Sequence, residues 1–320
     1  MNKFLRFFLA ALLACSALVL TACQGESQNS QKKTYKIGVL RIDDSLPLYT
    51  AEEEKLFEKN GVDVQVVEFS SAADQQKAME AGELDGMMTD MIVTALLKKS
   101  GTDLRVVAMA LGAVPQEGRF LVVSSPNSNI TTPQQLASAS VAISENTMMD
   151  YLMNQYEAEL GIPKEAVHTV QMPNLALRTD AVLSGKDIQA AILPDPLAAY
   201  AVQQGAHVVI DDTKLQKNYS QSVVVLTEDM ISKHHDDAVH FLAAYNEAIQ
   251  KLDSQPDAYR DLAMKKANIP AAVAASYRTP SYTAGALPTE EEVSRIMNWM
   301  VSKGLLPKAY SYEEMVAHVQ

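Results

Sequence analysis

The sequence predicts an α/β fold built as two lobes of one architecture, and three observations carry that expectation. First, residues 64–97, VQVVEFSSAADQQKAMEAGELDGMMTDMIVTALL, read as one strand-helix-strand unit. Val64, Val66 and Val67 begin a buried strand, Ser71 with Asp74 three residues on starts a helix that ends near Gly82, and Leu84 to Met88 form a second apolar run. Second, residues 181–195, AVLSGKDIQAAILPD, repeat the phrase loosely: a helix end at a glycine, an acid, an apolar strand, then an aspartate. A repeat at this distance points to two lobes rather than to a solenoid, whose units recur every ~20 to 50 residues. Third, between residues 35 and 210 short β-branched runs alternate with helical stretches, so the sheets are expected to be largely parallel.

The chain opens on a segment expected to lie outside the fold. Lys3 and Arg6 form a basic start and residues 7–20 an apolar run too short to span a membrane, so residues 1–22 read as a signal peptide. Leu20-Thr21-Ala22-Cys23 resembles the bacterial lipobox, which implies a lipidated Cys23 and a membrane-anchored protein on the extracytoplasmic face. The plainer alternative is an ordinary secretory signal with an incidental cysteine. Residues 23–34 read as a flexible tether, since residues 24–34 hold no aromatic or branched apolar side chain. Cys15 leaves with the signal, so no thiol pair remains for a disulfide, a zinc cluster or thiol catalysis. Loss of Lys3 and Arg6 takes the formal charge from −12 to −14, an acidic balance that speaks against nucleic acid as a partner. With 320 residues, 48% of them hydrophobic, the chain can bury a sizeable core.

In order along the chain, residues 35–41 are a strand, followed by the polar turn Asp43-Asp44-Ser45 and an amphipathic helix over residues 48–59 that stops at Asn60-Gly61. After the organising unit, residues 104–111 are a strand and residues 112–118 a loop read as the first crossing between lobes. Thr132-Pro133-Gln134-Gln135 has the capped start of a helix. Strands are expected at residues 141–144, 167–171, 190–193 and 207–210, with helices at 148–160, 175–183 and 197–204 between them. Residues 219–226 form the second crossing. The remainder is helical, with one helix over residues 228–251 and another capped by Thr289. The expected lobes are therefore residues 35–116 with 222–320, and residues 117–221.

In an open α/β sheet, ligands collect where strands finish and helices begin. That rule selects Asp43, Asp44 and Ser45 with nearby Tyr49, Ser70 with Ser71, Thr89 and Asp90 in the first lobe, and Ser144, Asn146, Thr147 and Asp195 in the second, with Arg119 a weaker candidate. Each has a plainer reading: a solvated turn for residues 43–45, a helix cap for Thr89 and Asp90, core for Tyr49, a rigid turn for Asp195, a surface ion pair for Arg119. His234, His235, Asp236, Asp237 and His240 look like a metal cluster, but His235 and His240 are five apart rather than the helical four, so a solvated helix start and no metal site are expected. Met87-Met88 and Met148-Met149 read as core or cleft lining. Asp74 and Asp150 stand where they cap their own helices, and Asp43, Asp44, Asp90, Glu145 and Asp195 gather near strand ends. That negative field favours a neutral or amine-bearing heteroaromatic solute over a sulfonate- or nitrate-type anion.

Four segments carry a family resemblance: residues 52–67 (EEEKLFEKNGVDVQVV), Ala81-Gly82-Glu83-Leu84-Asp85-Gly86, residues 184–191 with Pro194-Asp195-Pro196, and residues 299–306 with their Lys303-Gly304-Leu305 turn. In order and spacing they resemble the nitrate, sulfonate, taurine and pyrimidine-precursor binding proteins of ABC importers, over nearly all of residues 35–316. The resemblance implies a type II periplasmic-binding-protein fold, with two α/β lobes joined by two crossings and closing on a small solute. It implies a monomeric receptor without cofactor, whose partners are an ABC permease and ATPase. The turn Arg41-Ile42-Asp43-Asp44-Ser45 departs from the tryptophan and asparagine-rich turn of the pyrimidine-precursor branch, so that branch's ligand is not carried over. The rival is an enzyme of the same fold in pyrimidine or thiamine-precursor synthesis. Against it stand the lipobox and the lack of a histidine after a strand at the cleft edge.

Overall fold

The computed structural model describes residues 33–163 and 166–320, so the signal segment, the lipobox with Cys23 and all but the end of the tether lie outside the described residues. The strands are β1 (Thr34–Leu40), β2 (Asp63–Phe69), β3 (Gly86–Asp90), β4 (Leu104–Leu111), β5 (Phe120–Ser124), β6 (Ser140–Ile143), β7 (His168–Gln171), β8 (Ala190–Pro194), β9 (His207–Asp211) and β10 (Ser222–Thr227). They form two five-stranded sheets of matching order, β2-β1-β3-β10-β4 and β7-β6-β8-β5-β9. In each sheet one strand, β10 or β5, runs antiparallel to both neighbours. These are the strands the chain enters directly from the other sheet. Without an intervening α-helix to carry it back, each enters its sheet reversed.

The local chemistry explains most helix starts. Ser71 precedes the helix Ala72–Glu80, accepting from the Asp74 amide at 3.1 Å and donating to its carboxylate at 2.7 Å. Thr289 and Glu292 close a reciprocal capping box at the start of the helix Glu290–Ser302. Thr132 and Gln135 close another, but the turn it opens, Pro133–Leu136, is 3₁₀ rather than α. Two expected helices are broken. The stretch over residues 48–59 divides into Leu46–Glu53 and Leu56–Lys59 at Lys55, whose φ of 54° is left-handed. The stretch from residue 228 starts with a π-helical turn, Asp229–Lys233, before the helix His235–Ser254.

Three apolar clusters make the core. One lies on the outer side of the first sheet, around Tyr35, Leu48, Phe241 and Tyr245, and one on the outer side of the second, around Leu121, Val182 and Leu193. The third runs from one sheet to the other, joining Met91, Ile92 and Met300 to Phe120, Met148 and Tyr151. Helix Glu290–Ser302 ties this junction: the Trp299 ring meets Tyr151 edge-on at 5.2 Å, its Nε1 donates to Asn154 at 3.1 Å, and Arg295 donates to the Tyr151 hydroxyl at 3.0 Å.

The two crossings between the sheets touch. Asn218 donates to the Gly112 carbonyl at 2.6 Å. Gly112 has φ 94°, and a Cβ there would stand 2.3 Å from the Ser220 carbonyl oxygen, so both its conformation and its packing require glycine. Glu117, nearly fully buried, fixes the first crossing by accepting from the Ala113 amide at 2.9 Å and from the Thr283 hydroxyl.

Candidate functional site

The ends of β1 and β3 face the end of β6 across the gap between the sheets, and Asp90 joins them. It is the N-cap of the helix Met91–Ser100, where Oδ1 accepts from the Val93 amide at 2.8 Å. Its Oδ2 accepts from the amide of Met148, the first residue of the helix Met148–Leu160 on the other sheet, at 2.9 Å. One carboxylate therefore caps two helices. Burial pushes the Asp90 pKa up, while the amides of Val93, Met148 and Ile92 pull it down. The two helix N-termini favour its charged form. A second tie across the gap is an isolated antiparallel bridge between Ser71 and Asn174, whose side chain caps the helix Leu175–Ser184 through the Leu177 amide at 3.0 Å.

Beneath these ties lies a cavity of about 60 Å³. The first sheet and its helices contribute Ile42, Asp44, Gln75, Thr89 and Ser222, and the second contributes Phe120, Ser144, Thr147, Met148 and Arg178. Gln75 is held in place by donating to the Met88 carbonyl at 2.9 Å. Thr147 donates to the Ser144 carbonyl at 2.7 Å and accepts from the Met149 amide at 3.2 Å, so its oxygen is occupied by its own helix.

Arg178 is the least expected member. It is 0% exposed, yet only Nη1 has a partner, the Met172 carbonyl at 2.8 Å. Nε and Nη2 are buried without a hydrogen bond. Desolvation brings its pKa down to about 9, which still leaves the guanidinium charged at neutral pH.

The acids around the cavity are less ionised than their number suggests. Burial pushes Asp44 up to about 6, against hydrogen bonds from Ser45 and Ser222. Asp43 is pushed up to about 8 by burial, with the Tyr277 hydroxyl, donating at 2.9 Å, opposing and Asp195 and Asp44 adding to the shift. A narrow space of about 30 Å³ continues from the cavity past Ile42, Asp44, Phe120 and Ser222 to Asp43, Arg119 and Asp195. There it meets an outer chamber of about 220 Å³ that Asp43, Arg119 and Asp195 share with Tyr277 and Arg278. Arg119 pairs there with Asp211 at 2.8 Å and with Asp195 at 3.7 Å.

Of the residues selected from sequence, Asp44, Thr89, Asp90, Ser144 and Thr147 line the inner cavity. Asp43 and Asp195 lie along the narrow space and the outer chamber. Five do not line these spaces, among them Ser71, which caps its own helix. Ser45 is fully buried beneath the turn, where it donates to Asp44 at 3.0 Å. Tyr49 is core, one turn further along the helix, with the Lys266 ammonium 5.0 Å from its ring centre. Ser70 points to solvent because its neighbour Ser71 takes the inward cap, and Asn146 is exposed in a left-handed turn with φ 58°. The sequence reading missed Arg178, Gln75, Phe120 and Ser222. For Arg178 a signal exists, since it lies four residues before Val182, the apolar anchor of the same buried helix face. No group of acids, histidines and cysteines placed to hold a metal ion occurs among the described residues.

Residues 28–267 match the NMT1-like family. A Brachyspira hyodysenteriae protein, bearing the name of an ABC transporter periplasmic binding protein, is 23% identical over 274 residues, covering 80% of this chain and 77% of that one. The periplasmic aliphatic sulphonate binding protein SsuA of Escherichia coli superposes with a TM-score of 0.72 at 22% identity, over 89% of this chain and 97% of that one. The desulfurization enzyme DSZB superposes with a TM-score of 0.68 at 13% identity, over 90% of this chain and 97% of that one. The paired sheets thus form the periplasmic-binding-protein fold that the sequence resemblance implied, a fold that an enzyme also uses.

Proposed function

Because the chain belongs to the NMT1-like family, we propose that it is an extracytoplasmic solute-binding lipoprotein, tethered through Cys23, that closes on a small organic solute and delivers it to the permease of an ABC importer. Residues 35–116 with 222–320 act as one lobe and residues 117–221 as the other, moving about the crossings at Gly112 and Ser220. The observation that carries the reading is the cavity enclosed between the strand ends of both sheets, with the Asp90 carboxylate reaching over it to the Met148 amide. A clamp of this kind binds by joining groups from both lobes, and the joined form is what a permease can distinguish from the open one. The names of the relatives, an ABC transporter binding protein and a sulphonate binding protein, support the same role.

The acids near the strand ends, which favour a neutral or amine-bearing solute, carry less negative charge than their number implies. Asp90 is spent on two helix amides, Asp43 holds its proton to about 8, and Arg178 adds an unpaired cation. The balance moves towards a solute with an acceptor-rich end. A thermal-shift screen of organic acids, amines and heteroaromatics against the purified chain, with mass spectrometry of the recovered solute, tests the function. A saturable rise in Tm with the solute recovered unchanged is expected. Chemical conversion of the bound compound by the chain alone would instead favour the enzymatic reading, for which the fold of the desulfurization enzyme is the precedent.

A further inference from the structure

Within the receptor reading, on which this inference rests, we propose that Arg178 fixes the sign of the solute's charge: its Nε and Nη2 take the two oxygens of a carboxylate or sulfonate head group in the inner cavity. Nε and Nη2 share one edge of the planar guanidinium, the edge that meets an oxyanion with two parallel N–H bonds. The third nitrogen, Nη1, is already used to hold the side chain against the Met172 carbonyl at 2.8 Å. The fork is therefore oriented but vacant, in a side chain with 0% exposure.

A buried cation without a partner is costly, and folded proteins keep one where a counter-charge arrives from outside. The acids that share the cavity do not supply it. Both oxygens of Asp90 are occupied by the Val93 and Met148 amides, and Asp44 accepts from Ser45 at 3.0 Å. Among the described residues no carboxylate pairs with Arg178. The helix amides that would otherwise receive an anion are equally taken, Met148 by Asp90 and Met149 by Thr147. Arg178 is thus the one open anion seat that these groups leave in the cavity. At about 60 Å³, the space is well below the ~150 Å³ of an engineered cavity that takes up benzene, which suits a head group rather than a whole heteroaromatic ring. The body of the acid lies along the narrow space past Phe120 towards the outer chamber.

Calorimetry on the purified full chain with four probes of one tail length (pentanoate, pentanesulfonate, pentylamine and pentanol) tests the assignment. At least one acid is expected to bind while the amine and the alcohol do not, and the better acid identifies the head group. Arg178→Lys, which keeps the charge but loses the fork, is expected to weaken that acid at least tenfold. Arg178→Met is expected to abolish its binding while the ligand-free chain melts at the same or a higher temperature, because an unpaired buried charge has been removed. Selective binding of the amine or alcohol, or acid binding unchanged in Arg178→Met, overturns the proposal and leaves the receptor reading standing. A lower Tm of ligand-free Arg178→Met identifies a structural arginine and also overturns it, whether or not any probe binds. Failure of every small molecule in the broader thermal-shift screen rejects the receptor reading instead.

Discussion

The carboxylate of Asp90 and the backbone amide of Met148, 58 positions apart in sequence, meet at 2.9 Å across the gap between the two sheets. Because the other Asp90 oxygen caps its own helix through Val93, one side chain couples the local order of a helix start to the approach of the opposite sheet. Asp90→Ala leaves two buried amides without an acceptor. It is expected to cost about 2 kcal/mol or more, seen as a Tm lower by several degrees, and to weaken binding of any solute that raises the Tm of the parent chain. A variant with unchanged Tm and unchanged solute response contradicts the bridging role.

The touching crossings make a second prediction. In Gly112→Ala the new methyl group would sit 2.3 Å from the Ser220 carbonyl oxygen, on a backbone with φ 94°. Strain of both kinds is expected to lower stability by about 2 kcal/mol or more in denaturant unfolding. Gly161→Ala supplies the control, since it shares the positive φ but meets nothing within 4 Å, and it should lose about 1 kcal/mol.

Asp43 gives the stability a pH slope. Its pKa is raised from 3.8 to about 8, so the folded chain keeps a proton that the unfolded chain releases in that window. Stability from this group is full below about 4 and is lost as pH rises through about 8, the direction expected when the native state binds more protons. Tyr277, Tyr282, Asp44 and Asp195 face it, and the raised pKa values of Asp44 and Asp195 act in the same direction. Thermal melts from pH 5 to pH 8 should therefore show Tm falling with pH. Asp43→Asn, which stays neutral and can still accept from Tyr277, should flatten that fall. An equal slope in both chains would remove Asp43 as its source.

The fold was legible in the sequence because its signals are local. Ser71 with Asp74, Thr289 with Glu292 and the β-branched run at residues 104–111 each declare an element within a few residues, whereas residues 219–226, read as a crossing, hold most of the strand β10. The breaks were not legible: Lys55 adopts a left-handed φ that lysine seldom shows, and the π turn at Asp229–Lys233 lies in a stretch with no proline or glycine to mark it. The site was half legible for a related reason. Strand-end rules found Asp44, Thr89, Asp90, Ser144 and Thr147. They could not find Arg178, which comes from the inward face of a helix and acquires its meaning only when the two sheets meet. Nor could counting acids reveal that one of them, Asp90, is consumed by two amides.

Distance measurement between spin labels across the mouth of the cavity tests the central claim most directly. Lys77 and Leu177 are exposed on helices of opposite sheets, close in sequence to the Ser71–Asn174 bridge, and can be labelled as cysteines in a full chain with Cys15 and Cys23 replaced by serine. The account predicts a broad or longer distance distribution in the free chain that collapses to one short distance on adding whichever screened solute raises the Tm. A single distance, identical with and without that solute, would contradict a closing clamp.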